Sequence, residues 1–290
     1  MRIENARTLG ELTRTMAEAM RAHGIPEAPL ESRLLARHAF NLDAAQLLGD
    51  LNDPVPGDAV ERLRGLLERR LRREPLAYIT GEREFFRRTF AVDPRVLVPR
   101  PETELLVERT VEYVKAHRLK QPRIADIGTG SGALAITLAL ELPGAQVVAT
   151  DLSTKALQAA QANATRLGAD ITWVNGNLCE PLAGHGPFDV VVSNPPYIRS
   201  AALESLEPEI SYEPRGALDG GTDGMQVIKP LLQQLPGILR DEKHLVLIEF
   251  DPPVAPAAVD VARAVSPDAD VNVLRDLAGL ERCLEIVSRP

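Results

Sequence analysis

The chain has 290 residues, of which 44% are hydrophobic and 4% are aromatic. A length of this order exceeds what one hydrophobic core usually organises, so we expect two domains. No apolar run approaches the ~20 residues that cross a bilayer, and the N-terminus lacks a signal-peptide pattern. We therefore expect a cytoplasmic protein with no membrane partner.

Charge is distributed unevenly along the chain, whose net charge is −8. Residues 1–100 hold 17 arginines against 15 acidic side chains, a net charge of +2, whereas the remainder carries −10. Because neutralised phosphates supply most of the affinity for duplex DNA, we expect no direct binding of duplex DNA. The five histidines are not spaced as metal ligands usually are, so we expect no metal site. Cys179 and Cys283 are predicted to be inert buried thiols.

The N-terminal residues predict three helices. Thr8 and Glu11 fit a capping box, ahead of apolar residues at helical spacing that end near Gly24. A second helix is predicted after Pro29, and a third over 58–73. The polar side of the third helix carries arginines that are either a solvated surface, the commoner case, or a docking surface for a large partner: Arg62, Arg64, Arg69, Arg70, Arg72 and Arg73.

Residues 76–101 predict a connector with a short hairpin. Phe86, Phe90 and Val92 alternate with polar residues, and prolines punctuate the segment. Arg100 stands between two of these prolines. Its side chain is predicted either to frame a nearby site or to form an interdomain ion pair.

From residue 102 onward, apolar strands alternate with helical segments, which predicts an α/β fold with helices on both faces of a parallel sheet. The strands are predicted at 123–127, 146–150, 171–174, 188–193 and 244–249. The helices are predicted at 102–117, 133–140, 153–167 and 224–239.

A glycine-rich loop follows the first of these strands. The order of strand, Gly128–Gly132 and helix is typical of the first βα turn of a doubly wound fold, where backbone N–H groups face a ligand. Its G-x-G-x-G spacing differs from the G-x-G-x-x-G of dinucleotide binders. Asp151 ends the next strand, 19 residues after Gly132, where its carboxylate can accept both ribose hydroxyls of a nucleoside.

Asn194-Pro195-Pro196-Tyr197 follows the predicted strand at 188–193. The two prolines stiffen the loop and remove their own N–H groups, so the loop presents acceptors, namely the Asn194 side-chain oxygen and the Pro195 carbonyl. Two convergent acceptors beside an aromatic ring suit a planar –NH2 group. Alone, the motif is as often a rigid turn; with the glycine loop and Asp151 it indicates a functional site.

Residues 126–132 with Asp151 resemble the cofactor site of class I S-adenosylmethionine-dependent methyltransferases. The Asn194–Tyr197 motif resembles that of methyltransferases that modify planar amide or exocyclic amino nitrogens. With the further segments given below, the chain resembles the PrmC/HemK protein methyltransferases, which methylate the side-chain amide nitrogen (N5) of glutamine in the Gly-Gly-Gln motif of peptide chain release factors. The resemblance extends over nearly the whole chain, is weakest in the first 70 residues, and includes further segments: Pro75–Gly81 with Phe85, Val98–Glu104, Tyr212–Leu218 and Asp276–Gly279.

The resemblance implies a Rossmann-like seven-stranded sheet, completed by strands near 271–275 and 282–287 of which the last is antiparallel. It implies an N-terminal helical substrate-docking domain (1–75), a hairpin linker (76–101) and a methyltransferase domain (102–290). S-adenosyl-L-methionine is the implied cofactor and a release factor the implied protein partner. We expect the protein to be a monomer.

The resemblance also implies roles for particular residues. The catalytic residues are expected to be Asn194, Pro195 and Tyr197, and Pro196 joins them in binding the substrate. No His, Asp or Glu in the motif is an obvious base, so we expect the proton to leave after methyl transfer. The cofactor is expected to contact Asp126, Gly128, Thr129, Gly130, Ser131, Gly132, Asp151, Asn177, Leu178 and Asn194.

The chain departs from the family pattern in two places. Asn177 stands where the family more often has Asp, although a carboxamide can still pair with the adenine amino group. Asp251 and two prolines stand where a glycine usually follows the glutamate Glu249, and these prolines are predicted to start the next helix.

Three other functions remain open. A glutamine methyltransferase that acts on a ribosomal protein needs the same active site. A nucleic-acid amino-methyltransferase also fits the Asn194–Tyr197 motif, but the acidic charge and the lack of a target-recognition domain oppose it. A cofactor-binding protein without catalysis has no need for the acceptors of that motif.

Overall fold

A computed structural model describes residues 6–43, 46, 51–55 and 57–289, without the side chains of residues 57–59. The predicted N-terminal domain therefore includes some residues, among them the first five, that lie outside the described ones. The chain divides into two compact units, Met1–Gly81 with Glu207–Tyr212, and Glu82–Leu206 with Glu213–Pro290. Among the described residues, no helix combines the length and apolar character needed to cross a membrane.

The first unit is built from helices α1 (Leu9–Ala22), α2 (Ala28–Phe40), α3 (Gly57–Leu71) and α4 (Leu76–Thr80). The Thr8 side chain accepts a hydrogen bond from the Glu11 backbone N–H at 3.2 Å, which satisfies one free donor at the start of α1. The apolar faces of the helices meet in one core, whose largest fully buried side chains are Leu12, Met16, Met20, Ile25, Leu35 and Leu63.

Three arginines of the predicted docking surface are engaged inside the first unit. Arg70 is only 3% exposed and pairs with Glu31 and, at 2.8 Å, with Glu209. Arg73 also binds Glu209, at 2.7 Å, and Arg69 binds Glu74 at 2.5 Å. These side chains hold the helices and the segment Glu207–Tyr212 together, so they are not available as a docking surface.

The predicted connector is shared between the two units. Helix α4 packs Ile79 into the core of the first unit, which therefore extends to Gly81 rather than ending at residue 75. The predicted hairpin follows in the second unit as β1 (Glu82–Phe85) and β2 (Arg88–Ala91), with its Phe85 and Phe90 rings edge to face at 6.1 Å.

The second unit contains a seven-stranded sheet in the order β5-β4-β3-β6-β7-β9-β8, in which β9 runs antiparallel to the other six strands. This arrangement confirms the predicted fold class. Its strands are β3 (Arg123–Ile127), β4 (Gln146–Asp151), β5 (Thr172–Asn175), β6 (Val190–Ser193), β7 (Leu245–Glu249), β8 (Ala269–Arg275) and β9 (Glu281–Ser288).

Helices cover both faces of the sheet, as α5 (Glu104–Ala116), α6 (Ala133–Glu141), α7 (Thr154–Leu167), α8 (Ile228–Gln234) and α9 (Ala255–Val265). Helix α8 is shorter than the predicted 224–239. Gly224 has φ +81, outside the helical region, and Pro236 lies in the tighter turn Leu235–Gly237 that follows the helix.

Strand register brings the carboxyl ends of four parallel strands to one edge of the sheet. Ile127 pairs with Thr150 and Ser193, and Ser193 pairs with Ile248. The carboxyl ends of β3, β4, β6 and β7 therefore lie side by side. The chain also reverses its direction of winding between β3 and β6, which is where open α/β sheets bind ligands.

Candidate functional site

A cavity of about 360 Å³ opens at this edge of the sheet. Its size falls in the usual range for sites that enclose a small molecule. Gly132 and Tyr197 are not part of its wall, but the other predicted site residues are: Asp126, Gly128, Thr129, Gly130, Ser131, Asp151, Asn177, Leu178, Asn194, Pro195 and Pro196.

The glycine loop provides space at the cavity, and its first two N–H groups bind the neighbouring strand. Gly128 and Gly130 have φ values of +76 and +56, and a Cβ atom on either would meet no heavy atom within 4 Å. The Gly128 and Thr129 N–H groups both donate to the Thr150 carbonyl at 2.9 Å. The N–H groups of Gly128 and Thr129 are therefore bound to β4 and do not face the ligand, whereas the expectation for the rest of the turn stays a prediction.

Gly132 allows helix α6 to pack closely against its neighbour. A Cβ atom there would lie 2.8 Å from Ile136 Cδ1 and 3.1 Å from Ala160 Cβ. Its φ of +82 is also one that other residues rarely adopt. Gly132 thus lets α6 and α7 approach each other beneath the loop.

Asp126 lies at the end of β3 with its side chain fully buried. One carboxylate oxygen, Oδ2, accepts hydrogen bonds from Thr129 Oγ1 at 2.6 Å and from the Ala135 N–H at 3.1 Å. The other, Oδ1, is buried without a partner among the described residues. Burial, together with the negative charge of Asp151, raises the pKa of Asp126 to about 7.

Asp151 is held by one backbone donor on each carboxylate oxygen. The Ser153 N–H donates to Oδ1 at 2.8 Å, and the Gly130 N–H donates to Oδ2 at 2.9 Å. Burial raises the pKa of this carboxyl. Since a carboxylate oxygen accepts two hydrogen bonds, each oxygen keeps capacity for a further donor such as a ribose hydroxyl.

Asn177 and Leu178 form the wall beyond β5. The Asn177 side chain is exposed and its Nδ2 donates to Glu180 Oε1 at 3.2 Å, which leaves its amide oxygen as an acceptor. Leu178 has φ +48, and its carbonyl accepts from Thr150 Oγ1 at 3.4 Å.

Asn194 belongs to a buried hydrogen-bond chain. Its Nδ2 donates to Thr103 Oγ1 at 3.1 Å, and Thr103 Oγ1 donates to Glu249 Oε2 at 2.7 Å. The Tyr197 hydroxyl donates to the other oxygen of Glu249 at 3.1 Å. Burial raises the pKa of Glu249 to about 7, and burial beside that carboxyl raises the pKa of Tyr197.

Tyr197 differs from its expected position. We expected its ring beside the substrate amide, but the wall of the cavity ends at Pro196. The ring packs against the core between the sheet, α8 and α9, and its hydroxyl is bound by Glu249.

Comparison with known proteins identifies the family. Residues 11–81 match the PrmC N-terminal domain, and residues 102–221 match the methyltransferase small domain. The chain is 41% identical over 277 residues to the release factor glutamine methyltransferase of Moorella thermoacetica, and the match covers 95% of each chain. The chain belongs to the release factor glutamine methyltransferase family.

A second family member agrees with this assignment, and a solved structure shares the fold. The release factor glutamine methyltransferase of Deinococcus radiodurans is 39% identical over 271 residues, which are 93% of this chain and 95% of that protein. The crystal structure of a methyltransferase from Pyrococcus furiosus matches with a TM-score of 0.50 and 17% identity, over 80% of this chain and 100% of that one. At that identity the structure supports the fold alone.

Two residues at the cavity of this family member were not expected there. Thr103, which lies within the family segment Val98–Glu104, lines the cavity and touches Asn194. Glu249 lies behind it as a fully buried acid at the end of β7. The sequence did contain a signal for Glu249, because this acid ends a strand whose other residues are all apolar. An acid at such a position is buried and needs hydrogen-bond donors nearby.

Arg100 frames the cavity through a partner in the second unit. Its Nη2 lies 2.5 Å from Glu213 Oε1, while the Val98 N–H donates to Glu213 Oε2 at 3.0 Å. Both partners belong to the second unit, so the pair is not an interdomain one. It joins two family segments, Val98–Glu104 and Tyr212–Leu218.

The departure after Glu249 has a local structural role. Asp251 accepts a hydrogen bond from Arg282 Nη1 at 2.8 Å, and Arg282 Nε also binds Asp276 at 3.0 Å. The two prolines form the short turn Pro252–Val254 that leads directly into α9, as predicted.

Proposed function

We propose that this protein transfers the methyl group of S-adenosyl-L-methionine to the side-chain amide nitrogen (N5) of the glutamine in the Gly-Gly-Gln motif of peptide chain release factors. Family membership over nearly the full length supports the reaction class. One geometric observation supports an amide as the group that is methylated. Asn194 stands at the cavity with its own –NH2 group bound to Thr103, so its oxygen is the atom left to accept from a substrate amide.

The cavity fits the cofactor in two independent respects. Asp151 keeps one acceptor position on each oxygen, which suits the two hydroxyls of a ribose. Asp126 has a buried oxygen to which no described residue donates, which suits a donor such as the ammonium of an amino-acid tail. Asn177 and Leu178 are proposed to contact the adenine. When bound, S-adenosyl-L-methionine supplies an electrophilic methyl group on a positively charged sulfur.

The chain's own residues bind and orient the substrate amide. We assign the two amide protons of the glutamine to the Asn194 side-chain oxygen and the Pro195 carbonyl, the two acceptors of the motif. Holding both protons turns the nitrogen lone pair, which is otherwise delocalised into the carbonyl, toward the reacting carbon. Orientation of this kind can supply several kcal/mol of barrier lowering. After transfer the nitrogen is strongly acidic and loses its proton without a base from the chain.

The partner and location form part of the same proposal. A release factor is the protein substrate, and the helical unit docks it, as its match to the PrmC N-terminal domain supports. We propose that the enzyme works as a monomer in the cytoplasm, where translation ends. The positive charge of residues 1–100, set against the acidic remainder, is consistent with a separate role for the helical unit.

Methyl labelling of purified proteins tests the proposal. The enzyme is incubated with labelled S-adenosyl-L-methionine and a purified release factor, and the labelled residue is found by peptide mass spectrometry. The control factor carries Ala in place of the motif glutamine. We expect label on the motif glutamine and none on the control factor. A parallel reaction contains ribosomal proteins as well as the release factor. Preferential labelling of a glutamine in a ribosomal protein would support a ribosomal-protein glutamine methyltransferase and overturn the substrate assignment.

A further inference from the structure

We propose that Thr103 and Glu249 are positioning residues that fix the direction of the Asn194 carboxamide, so that its oxygen faces the substrate glutamine. The inference deepens the proposed function and rests on it for the identity of the substrate. It gives a role to two residues that the cofactor and substrate motifs do not contain.

Burial shields Thr103 and Glu249 from competing water. Thr103 is 5% exposed and Glu249 is 1% exposed, and the links from Asn194 to Thr103 and from Thr103 to Glu249 measure 3.1 and 2.7 Å. Each link lies in the normal range for its atoms. The three side chains come from the loop directly after β6, from the turn before α5 and from β7, so the fold itself brings them together.

The donor order follows from the chemistry of the groups. An ionised carboxylate can only accept, so the single hydroxyl proton of Thr103 goes to Glu249. The Thr103 oxygen then has only lone pairs to offer Asn194, and only Nδ2 of the carboxamide can donate to them. The carboxamide oxygen must therefore point away from Thr103.

The reversed carboxamide would leave a buried group unsatisfied. With its oxygen toward Thr103, Asn194 would require the hydroxyl proton that Glu249 holds. Glu249 Oε2 would then lose its donor inside the protein, where an unmade hydrogen bond is costly. Tyr197 cannot compensate, because its hydroxyl already occupies Oε1 of the same carboxylate.

This order requires Glu249 to be ionised. A protonated carboxyl could donate to Thr103, which would free the hydroxyl proton for Asn194 and allow the reversed orientation. The direction of the carboxamide thus depends on pH through Glu249. Other titratable or charged groups face this carboxyl from the turn before α5, the Asn194–Tyr197 loop, the end of β7 and β9: Glu102, Tyr197, Asp251, Arg282 and Cys283.

Kinetics of three variants test the inference. Thr103→Val keeps the shape and removes the hydroxyl, and Thr103→Ser restores the hydroxyl. Thr110→Val makes the same change at a buried threonine of α5, whose hydroxyl donates to the Leu106 carbonyl of its own helix at 2.7 Å. We expect Thr103→Val to lower kcat at least about tenfold, because orientation is lost. The dissociation constant for the cofactor should stay within about twofold, since Thr103 makes no bond to the cofactor-side carboxylates.

The serine and the control variant separate positioning from packing. Thr103→Ser should recover most of kcat, and Thr110→Val should behave like the wild type. A pH profile adds a second readout: kcat of the wild type should fall as pH drops through the pKa of Glu249, and Thr103→Val should lose this dependence. Wild-type kcat in Thr103→Val would overturn the inference.

A titration without substrate tests the donor order directly. Carboxyl ¹³C NMR of glutamate-labelled protein follows the ionisation of Glu249, assigned with Glu249→Gln. Removing the Thr103 donor should raise the pKa of Glu249 in Thr103→Val relative to the wild type and to Thr103→Ser. Equal pKa values in all three proteins would mean that Thr103 does not donate to Glu249.

The two failures are distinguishable. If the wild type methylates a release factor while Thr103→Val keeps its kcat, the positioning inference fails and the proposed function stands. If the wild type leaves every release factor unmethylated, the proposed function fails, and the carboxyl titration still decides whether Thr103 donates to Glu249.

Discussion

Thr129 donates a hydrogen bond to Asp126 at 2.6 Å, and it satisfies only one of the two carboxylate oxygens. The second oxygen is buried without a partner in the described part of the chain. A half-satisfied buried carboxylate is costly to ionise, and burial accordingly raises its pKa to about 7. Asp126 is therefore poised to bind a proton or a cationic ligand near neutral pH.

Cofactor binding should release protons at Asp126. An ammonium group beside the unpartnered oxygen favours the ionised carboxyl, so affinity should rise as pH increases from 6 to 8, around the pKa of about 7. Calorimetry of S-adenosyl-L-methionine binding in buffers of different ionisation enthalpy measures the proton count. Asp126→Asn is the control and should bind more weakly with a smaller pH dependence. Proton release of the same size in the variant would contradict the assignment.

Asp126 should also destabilise the free protein above neutral pH. Its folded pKa of about 7 exceeds its ordinary value of 3.8, so the folded state binds more protons between these two values. Stability then falls as pH rises through this window. Asp126→Asn should be more stable than the wild type by on the order of 4 kcal/mol at pH 8, because each pKa unit of the rise from 3.8 to about 7 is worth about 1.4 kcal/mol, and the gain should be absent near pH 4. Urea unfolding at both pH values checks this, and a gain of equal size at both would refute it.

Asp151→Ala should weaken S-adenosyl-L-methionine binding by roughly 1.5–3 kcal/mol, the usual range for hydrogen bonds to a charged group. The reason is the loss of the two acceptor positions that its oxygens keep beyond their backbone bonds. Isothermal titration calorimetry gives the dissociation constants. Asp170→Ala, at an exposed position outside the cavity, is the matched control and should bind normally. An unchanged constant for Asp151→Ala would remove Asp151 from the ribose site.

Arg70→Met should destabilise the helical unit by about 3 kcal/mol or more, because it leaves Glu31 and Glu209 without their buried partner. Arg62→Met changes an exposed arginine of the same helix and should have little effect. Thermal unfolding of both variants provides the comparison. Equal midpoints for the two variants would show that the Arg70 pairs contribute nothing to the fold.

Arg62 in α3 and Arg72 just after it are exposed, so they test docking of a release factor better than the paired arginines Arg69, Arg70 and Arg73. Arg62→Glu with Arg72→Glu should raise KM for the factor several-fold, more at low salt than at high salt, because exposed charges are screened within ~10 Å at 0.1 M. The rate constant kcat and the cofactor affinity should not change. Arg263→Glu, exposed on α9, is the matched control. A KM equal to that of the control would leave the helical unit without an electrostatic docking role.

The sheet was predictable because its strands are buried apolar runs. Predicted strands 123–127 and 146–150 agree with the structure to within one residue, and Asp151 and Asn194 stand at strand ends where the motifs put them. Helix α8 was harder, because the helical pattern continues through residues whose glycine and proline backbones end the helix.

Side-chain partnerships across the chain were not predictable in the same way. Thr103 meets Glu249 and Asn194 only because the turn before α5, β7 and β6 converge. Arg70 was read as part of a charged helix face, yet its partner Glu209 is far away in sequence. Periodicity reports which side of a helix is polar, but it does not report which acid comes to lie against it.

The segment Glu207–Tyr212 belongs to the helical unit although it stands far along the chain from the helices. Two bonds to Glu209 and one from the Tyr212 hydroxyl to the Arg72 carbonyl at 2.8 Å attach it there. The helical unit is thus encoded in two separate stretches of the gene. A recombination event that exchanged only the first stretch between relatives would give Glu209 a foreign partner, so Arg70, Arg73 and Glu209 are expected to be inherited together.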